Sequence, residues 1–203
     1  MTEIIIIRHG ETEWNKTGRF QGHSDVPLSA EGRAQAAMLG KNLAVDHVDM
    51  IYASDLTRAM ETAAPLAQRF GLEVISDPQL RELNFGAWEG RNFNDVNAEN
   101  PNAMKNFYTD PEQADIPESE PFPEFQRRIA GRVREIVAQE RGKRIVIVSH
   151  GASIRILLAD LLSMPIRSIW HLSQLNTAVN KIRFEDDGFA AITLMNDTAH
   201  LSV

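Results

Sequence analysis

The chain of 203 residues contains no cysteine. Disulfides, thiolate nucleophiles and Cys-based zinc sites are therefore excluded, and a reducing, cytoplasmic setting is expected. Long apolar runs are also missing. None approaches the roughly 20 residues of a membrane span, and Ile4–Ile7 is too short for a signal h-region and follows no basic segment. There is no basic tract either. Lys and Arg total 21 against 28 Asp and Glu, for a formal net charge of −7, so neither nucleic acid nor a membrane surface is an expected partner. An anionic substrate would need positive charge concentrated in a small pocket. No pair of side chains has metal-ligand spacing, and no metal or other cofactor is expected.

What is present reads as alternating strands and helices. Glu3–Arg8 is an Ile-rich run suited to a strand buried on both faces. Ser29 is an N-cap before a helix that gives out near Val45. Met50–Ala53 is a second strand, and Asp55 is read as the cap of a helix running past Pro65, a kink site, to Phe70, where Gly71 stops it. Leu72–Ser76 is a third strand. A helix follows from Pro123 to about Glu140, a fourth strand over Lys143–Val148, and an apolar helix over Gly151–Leu162. Thr177–Phe184 and Phe189–Met195 form a terminal hairpin around Asp186-Asp187-Gly188. The expected fold is an α/β three-layer sandwich, a mostly parallel central sheet with helices on both faces. The chain reads as one domain over residues 1–203, with a lid-like excursion at about 86–124 that is too poor in apolar residues to hold its own core.

Two segments share a form. Ile4–Gly10 and Ile145–Gly151 each run from a buried strand into His-Gly. Each histidine stands at the carboxyl end of its strand, where ligands bind in such sheets. If the strands are neighbours, His9 and His150 converge. Arg8 and Arg58 offer planar forks for an anion, although Arg58 could instead pair with Asp55 or Glu61 at helical spacing. Imidazole can attack phosphorus and hold it covalently, and a protonated His150 would add charge at the same oxygens. Glu82 is the candidate general acid, on the expectation that an apolar setting keeps it protonated; the alternative is a surface Glu paired with Arg81.

Arg8-His9-Gly10-Glu11-Thr12-Glu13-Trp14-Asn15 resembles the signature of the histidine phosphatase superfamily, which includes the cofactor-dependent phosphoglycerate mutases. The resemblance continues, in the family's order, through Gly18-Arg19-Phe20-Gln21-Gly22, Ser54-Asp55-Leu56-Thr57-Arg58-Ala59, Leu80-Arg81-Glu82, Trp88-Glu89-Gly90 and Val148-Ser149-His150-Gly151. It implies a phosphoryl-transfer enzyme that works through a phosphohistidine on His9. Arg8, Arg58, Glu82 and His150 complete the catalytic set, and Asn15, Gln21 and Gly151 are further phosphate-binding positions. The block from Glu82 to Gly90 is similar to the phosphatase branch, so hydrolysis of a small phosphomonoester is expected, with a mutase as the alternative and a weakly active binding member after it. Pro117 and Ala152 depart from the branch pattern. His23, His47, His171 and His200 lie outside these motifs and read as structural or surface residues.

Two expectations concern surfaces. Between Asn92 and Phe125 there are eight acids and one base, Lys105. If they face the pocket, a second anionic group is repelled and the substrate carries one phosphate on a neutral or cationic remainder; otherwise they form a solvated outer face. Trp170, Leu172 and the terminal hairpin are either a homodimer edge or core.

Overall fold

The computed structural model describes residues 1–202. Six strands form one sheet: β1 (Thr2–Arg8), β2 (Met50–Ala53), β3 (Val74–Ser76), β4 (Arg144–Ser149), β5 (Val179–Phe184) and β6 (Ala190–Asp197). Their order is β3-β2-β4-β1-β5-β6. The first four are parallel, and β5 and β6 add an antiparallel edge. The helices are α1 (Glu13–Lys16), α2 (Ala30–Asn42), α3 (Thr57–Phe70), α4 (Phe93–Glu99), α5 (Pro101–Thr109), α6 (Phe122–Gln139) and α7 (Gly151–Leu161).

Side chains alternate across a strand, and β1 uses both faces. Ile4 and Ile6 join one apolar cluster with Ile145, Ile147, and residues of α6 and α7. Ile5 and Ile7 join another with Val146, Val148, and residues of α2 and α3. All four isoleucines are essentially inaccessible, each contributing on the order of 1.5–3 kcal/mol by burial. This two-sided burial is why the strands read as unbroken apolar runs, and it fixes β1 beside β4 with Arg8 opposite Ser149.

Residues 86–124 pack onto the first of these layers. Val96, Met104, Phe107, Ile116 and Phe122 belong to the same cluster as Ile4 and Ile6. Their apolar side chains are few, but they borrow the core of the sheet. Leu172 belongs to this cluster, and Trp170, partly buried, packs against it. The third strand is shorter than expected, beginning at Val74.

The start of α3 differs from the expected one. Its first residue is Thr57, and Asp55 does not cap it; Asp55 instead takes both Nε and Nη2 of Arg81, at 2.7 and 2.5 Å. The cap comes from a distant loop. Asp25 accepts hydrogen bonds from the Thr57 amide and hydroxyl, both at 2.7 Å. The helix continues through Pro65, which rests on Gly40 of α2; a methyl at Gly40 would stand 2.5 Å from the Pro65 Cβ. Gly71 ends α3 at φ 65°. Asp25→Ala should lower the unfolding free energy by about 1 kcal/mol, the usual value of a lost N-terminal cap, as measured by urea denaturation.

Candidate active site

Strand adjacency brings the two His-Gly turns together. The His9 and His150 rings lie 5.2 Å apart between centroids. The His9 amide donates to the Ser149 carbonyl at 2.9 Å, while the Gly10 amide donates to Thr62 Oγ1 on α3 at 2.9 Å. Gly10 is needed for close approach: a Cβ there would lie 2.6 Å from the Gly32 carbonyl oxygen.

Each imidazole has its tautomer set by its neighbour. His9 Nδ1 is 2.7 Å from the Gly10 carbonyl oxygen. A carbonyl only accepts, so Nδ1 carries the proton and Nε2 keeps its lone pair. His150 Nδ1 accepts from Arg58 Nε at 3.3 Å. A guanidinium only donates, so the His150 proton sits on Nε2, which is buried with no partner.

Arg58 is fully buried. Its Nη1 and Nη2 donate to the carbonyls of Ser24 and Gly22 at 2.8 and 2.7 Å. It pairs with neither Asp55 nor Glu61; the latter accepts the Leu28 amide instead. Arg8 turns inward, donating from Nη1 to the Gln174 carbonyl at 2.7 Å, while its Nε is buried without a partner. Burial pulls both guanidinium pKa values down to about 10. Burial, then the charge of Arg58, pushes His9 and His150 well below the ordinary imidazole value. His150 is thus neutral at rest, so the condition for added charge is not met and its Nε2–H is a neutral buried donor.

Glu82 sits in a polar setting rather than the expected apolar one. Its Oε1 accepts from the Leu83 and Ser153 amides, both at 3.0 Å, and the Ser153 hydroxyl at 3.1 Å. Its Oε2 accepts from the Ala152 amide at 3.0 Å. The carboxylate therefore lies on the first turn of α7, where the positive helix end and free amides favour an anion. Arg81 is occupied by Asp55, so no surface pair forms with Glu82.

Arg8, His9, Arg58 and Glu82 line one cavity of about 140 Å³, together with Asn15, Gln21 and Gly151, while His150 is fully buried with its ring 5.2 Å from that of His9. Asn15 and Gln21 are tied to each other through the Thr12 hydroxyl, at 3.1 and 2.9 Å. Four arginines reach the cavity: Arg8, Arg19, Arg58 and Arg155. Arg155 was legible as the lone cation in the apolar run from Gly151 to Leu158, but its motif neighbours drew the reading away from it. The excursion contributes Phe93, Phe107 and Tyr108 and none of its acids. Asp95, Glu99, Asp110, Glu112, Asp115, Glu118 and Glu124 are exposed, and Glu120 is paired with Arg128 at 2.7 Å. The acids thus form an outer face, and the expected repulsion of a second anionic group loses its basis.

The other histidines lie outside the cavity lining. His23 Nε2 is bonded to the Glu82 carbonyl at 3.0 Å, His200 Nε2 to Thr177 Oγ1 at 3.0 Å, and His47 and His171 are exposed. Among the described residues no group of three or more His, Asp or Glu side chains could hold a metal ion, and no helix is long and apolar enough to cross a membrane.

The buried neutral histidines couple stability to pH. The unfolded chain takes up protons at histidine near pH 6.5, whereas folded His9 and His150 stay neutral well below that. Stability should therefore fall as the pH drops below about 6.5, by up to about 1.4 kcal/mol per pH unit for each histidine. Urea unfolding at stepped pH measures the slope. His150→Gln should reduce it by about one proton's share.

Comparison with known proteins agrees with this geometry. The sequence model for the histidine phosphatase superfamily (branch 1) matches residues 4–198. A protein named as a probable phosphoglycerate mutase, GpmB of Yersinia enterocolitica, is 33% identical over 207 residues, covering 100% of this chain and 96% of that protein. Among solved structures, Bacillus stearothermophilus YhfR superposes with a TM-score of 0.93 at 31% identity, covering 99% and 100% of the two chains. A phosphoserine phosphatase from Entamoeba histolytica, solved with phosphoserine, gives 0.89 at 32% identity, again over 99% and 100%. A mycobacterial glucosyl-3-phosphoglycerate phosphatase, solved with vanadate, gives 0.88 at 31%, over 96% and 98%. With strand order, paired His-Gly turns and family match in agreement over nearly its whole length, the chain belongs to the histidine phosphatase superfamily, branch 1.

Proposed function

We propose that the protein is a cytoplasmic phosphomonoesterase that transfers the phosphoryl group of a small-molecule phosphate to His9 and then to water. One observation carries the reading. His9 holds its Nδ1 proton on Gly10 and leaves Nε2 free, beside two buried donors with no protein partner, Arg8 Nε and His150 Nε2. A neutral nucleophile facing unsatisfied donors suits a group that is itself anionic.

In this reading, Nε2 of His9 attacks phosphorus in line with the ester oxygen. Arg8, Arg58, His150 Nε2–H, Asn15, Gln21 and the Gly151 amide receive the nonbridging oxygens. The phosphorus–oxygen ester bond breaks, and the Glu82 carboxyl group passes a proton to the leaving oxygen. Water then attacks the phosphohistidine. The Glu82 carboxylate takes the water's proton, and inorganic phosphate leaves. Residues 86–124 serve as the outer wall within the single domain.

Hydrolysis is favoured over the mutase reading by the rim. Phe93 and Tyr108, on the excursion's part of the wall, are 38% and 46% exposed, so this wall is not sealed from solvent on its outer side. The solved relatives named above include phosphatases acting on phosphoserine and glucosyl-3-phosphoglycerate. The GpmB relatives are the reason to keep the mutase as the second reading.

The test is phosphate release from a panel of phosphomonoesters in EDTA. Release should persist, His9→Ala should abolish it, and Arg58→Ala should lower kcat by about 10²–10³, as for loss of a transition-state donor. Acid-labile labelling by ³²P should require His9. Isomerisation of 3-phosphoglycerate in the presence of its bisphosphate primer, with no phosphate released, would replace this reading with the mutase.

A further inference from the structure

The phosphate scheme leaves two of the cavity's four guanidinium groups unused: Arg19, whose Nη1 donates to the Gly90 carbonyl at 2.8 Å, and Arg155. It stands on the second turn of α7, and its Nε donates to the Leu172 carbonyl at 2.6 Å. Its guanidinium carbon lies 5.7 Å from the centroid of the Trp170 ring. Among the described residues neither Nη atom has a protein acceptor and no carboxylate lies within ion-pair distance. A half-buried cation with an anchored Nε and two idle Nη groups is held ready for a planar acceptor.

Its position is beside the phosphate donors. A methyl at Gly151 would meet both Arg155 Nη1, at 3.0 Å, and Arg8 Nε, at 3.3 Å. Arg155 lines the same cavity as His9, together with Trp170 and Tyr108. Tyr108 enters from α5, with its ring 5.8 Å from Trp170 and a hydroxyl that has no protein partner among the described residues. Burial raises the Tyr108 pKa, so its hydroxyl keeps its proton and is a donor at neutral pH. The excursion's acids, which would have opposed a second anion, face outward.

We propose that Arg155 and Tyr108 form a carboxylate subsite beside the phosphate site, so that the preferred substrates are phosphomonoesters whose alcohol portion bears a carboxylate. This rests on the phosphomonoesterase reading. The test uses two matched pairs: phosphoserine against phosphoethanolamine, and 3-phosphoglycerate against glycerol 3-phosphate. Within each pair the carboxylated member should have the higher kcat/KM, by about ten-fold or more, as expected for hydrogen bonds to a charged group. In Arg155→Met that ratio should collapse toward unity, chiefly through KM. In Tyr108→Phe it should fall a few-fold. Equal kcat/KM within the pairs in the unmodified protein would overturn the proposal. So would an Arg155→Met protein in which both members fall together and the ratio survives, since Arg155 would then serve the phosphate or the fold. Should Arg155→Met lose its circular dichroism spectrum, Arg155→Lys and Tyr108→Phe decide by the same ratio. Hydrolysis of p-nitrophenyl phosphate checks the parent reading separately. Its absence overturns both, whereas its presence without a carboxylate preference overturns this proposal alone.

Discussion

The constraint on which the site depends is the burial of Arg58, and of the Arg8 Nε beside it, without a carboxylate partner of their own. Unpaired buried charge is costly, and here main-chain carbonyls offset it. Gly22, Ser24 and Gln174 supply those carbonyls, so each must be held rigidly. Glu89 does this for the first two: its oxygens accept the His23 amide, the Ser24 amide and the Ser24 hydroxyl at 2.7–2.8 Å. Gly22 has φ 55°, and a Cβ there would stand 2.1 Å from Glu89 Oε1. Gln174 is locked by a reciprocal pair of 2.9 Å hydrogen bonds with Asn180 of β5. Residues with no access to substrate thus determine where the guanidinium groups point.

The same field orders the rest of the site. Arg58 binds His150 Nδ1 and sends the proton to Nε2. Burial first, then the charges of Arg58 and Arg8, keeps His9 neutral and therefore nucleophilic. Glu82 is the one carboxylate lining the cavity, and it is held by the amides of α7 rather than by an arginine. That leaves the guanidinium groups free for an anion. A phosphate dianion would bring negative charge to a cavity lined by four arginines and one carboxylate.

Much of this was legible in the sequence. The two apolar runs ending in His-Gly predicted strands buried on both faces of a mostly parallel sheet; their adjacency was left conditional, and the structure pairs them in register. What was hidden depended on long-range partners. Asp55 has the residue type and position of a cap, yet Arg81 takes it and Asp25, far away in sequence, caps the helix. The setting of Glu82 was misread for the same reason: the amides that bind it belong to a helix some seventy residues later. The direction of the acidic face was equally out of reach. It follows from Val96, Met104 and Phe107 turning to the core, which periodicity in such short helices specifies poorly.

The outward acids also separate net charge from specificity. At physiological ionic strength exposed charges are screened over about 8 Å, so seven solvated acids on the excursion exert little pull or push inside the cavity. Four arginines line that cavity, and two of them are wholly or largely removed from water, where screening is weakest. A chain with formal charge −7 therefore presents a locally cationic hole behind an acidic surface. The overall charge governs solubility and discourages polyanionic partners. The choice of a small anion is made a few ångströms from His9, by donors whose partners are carbonyls.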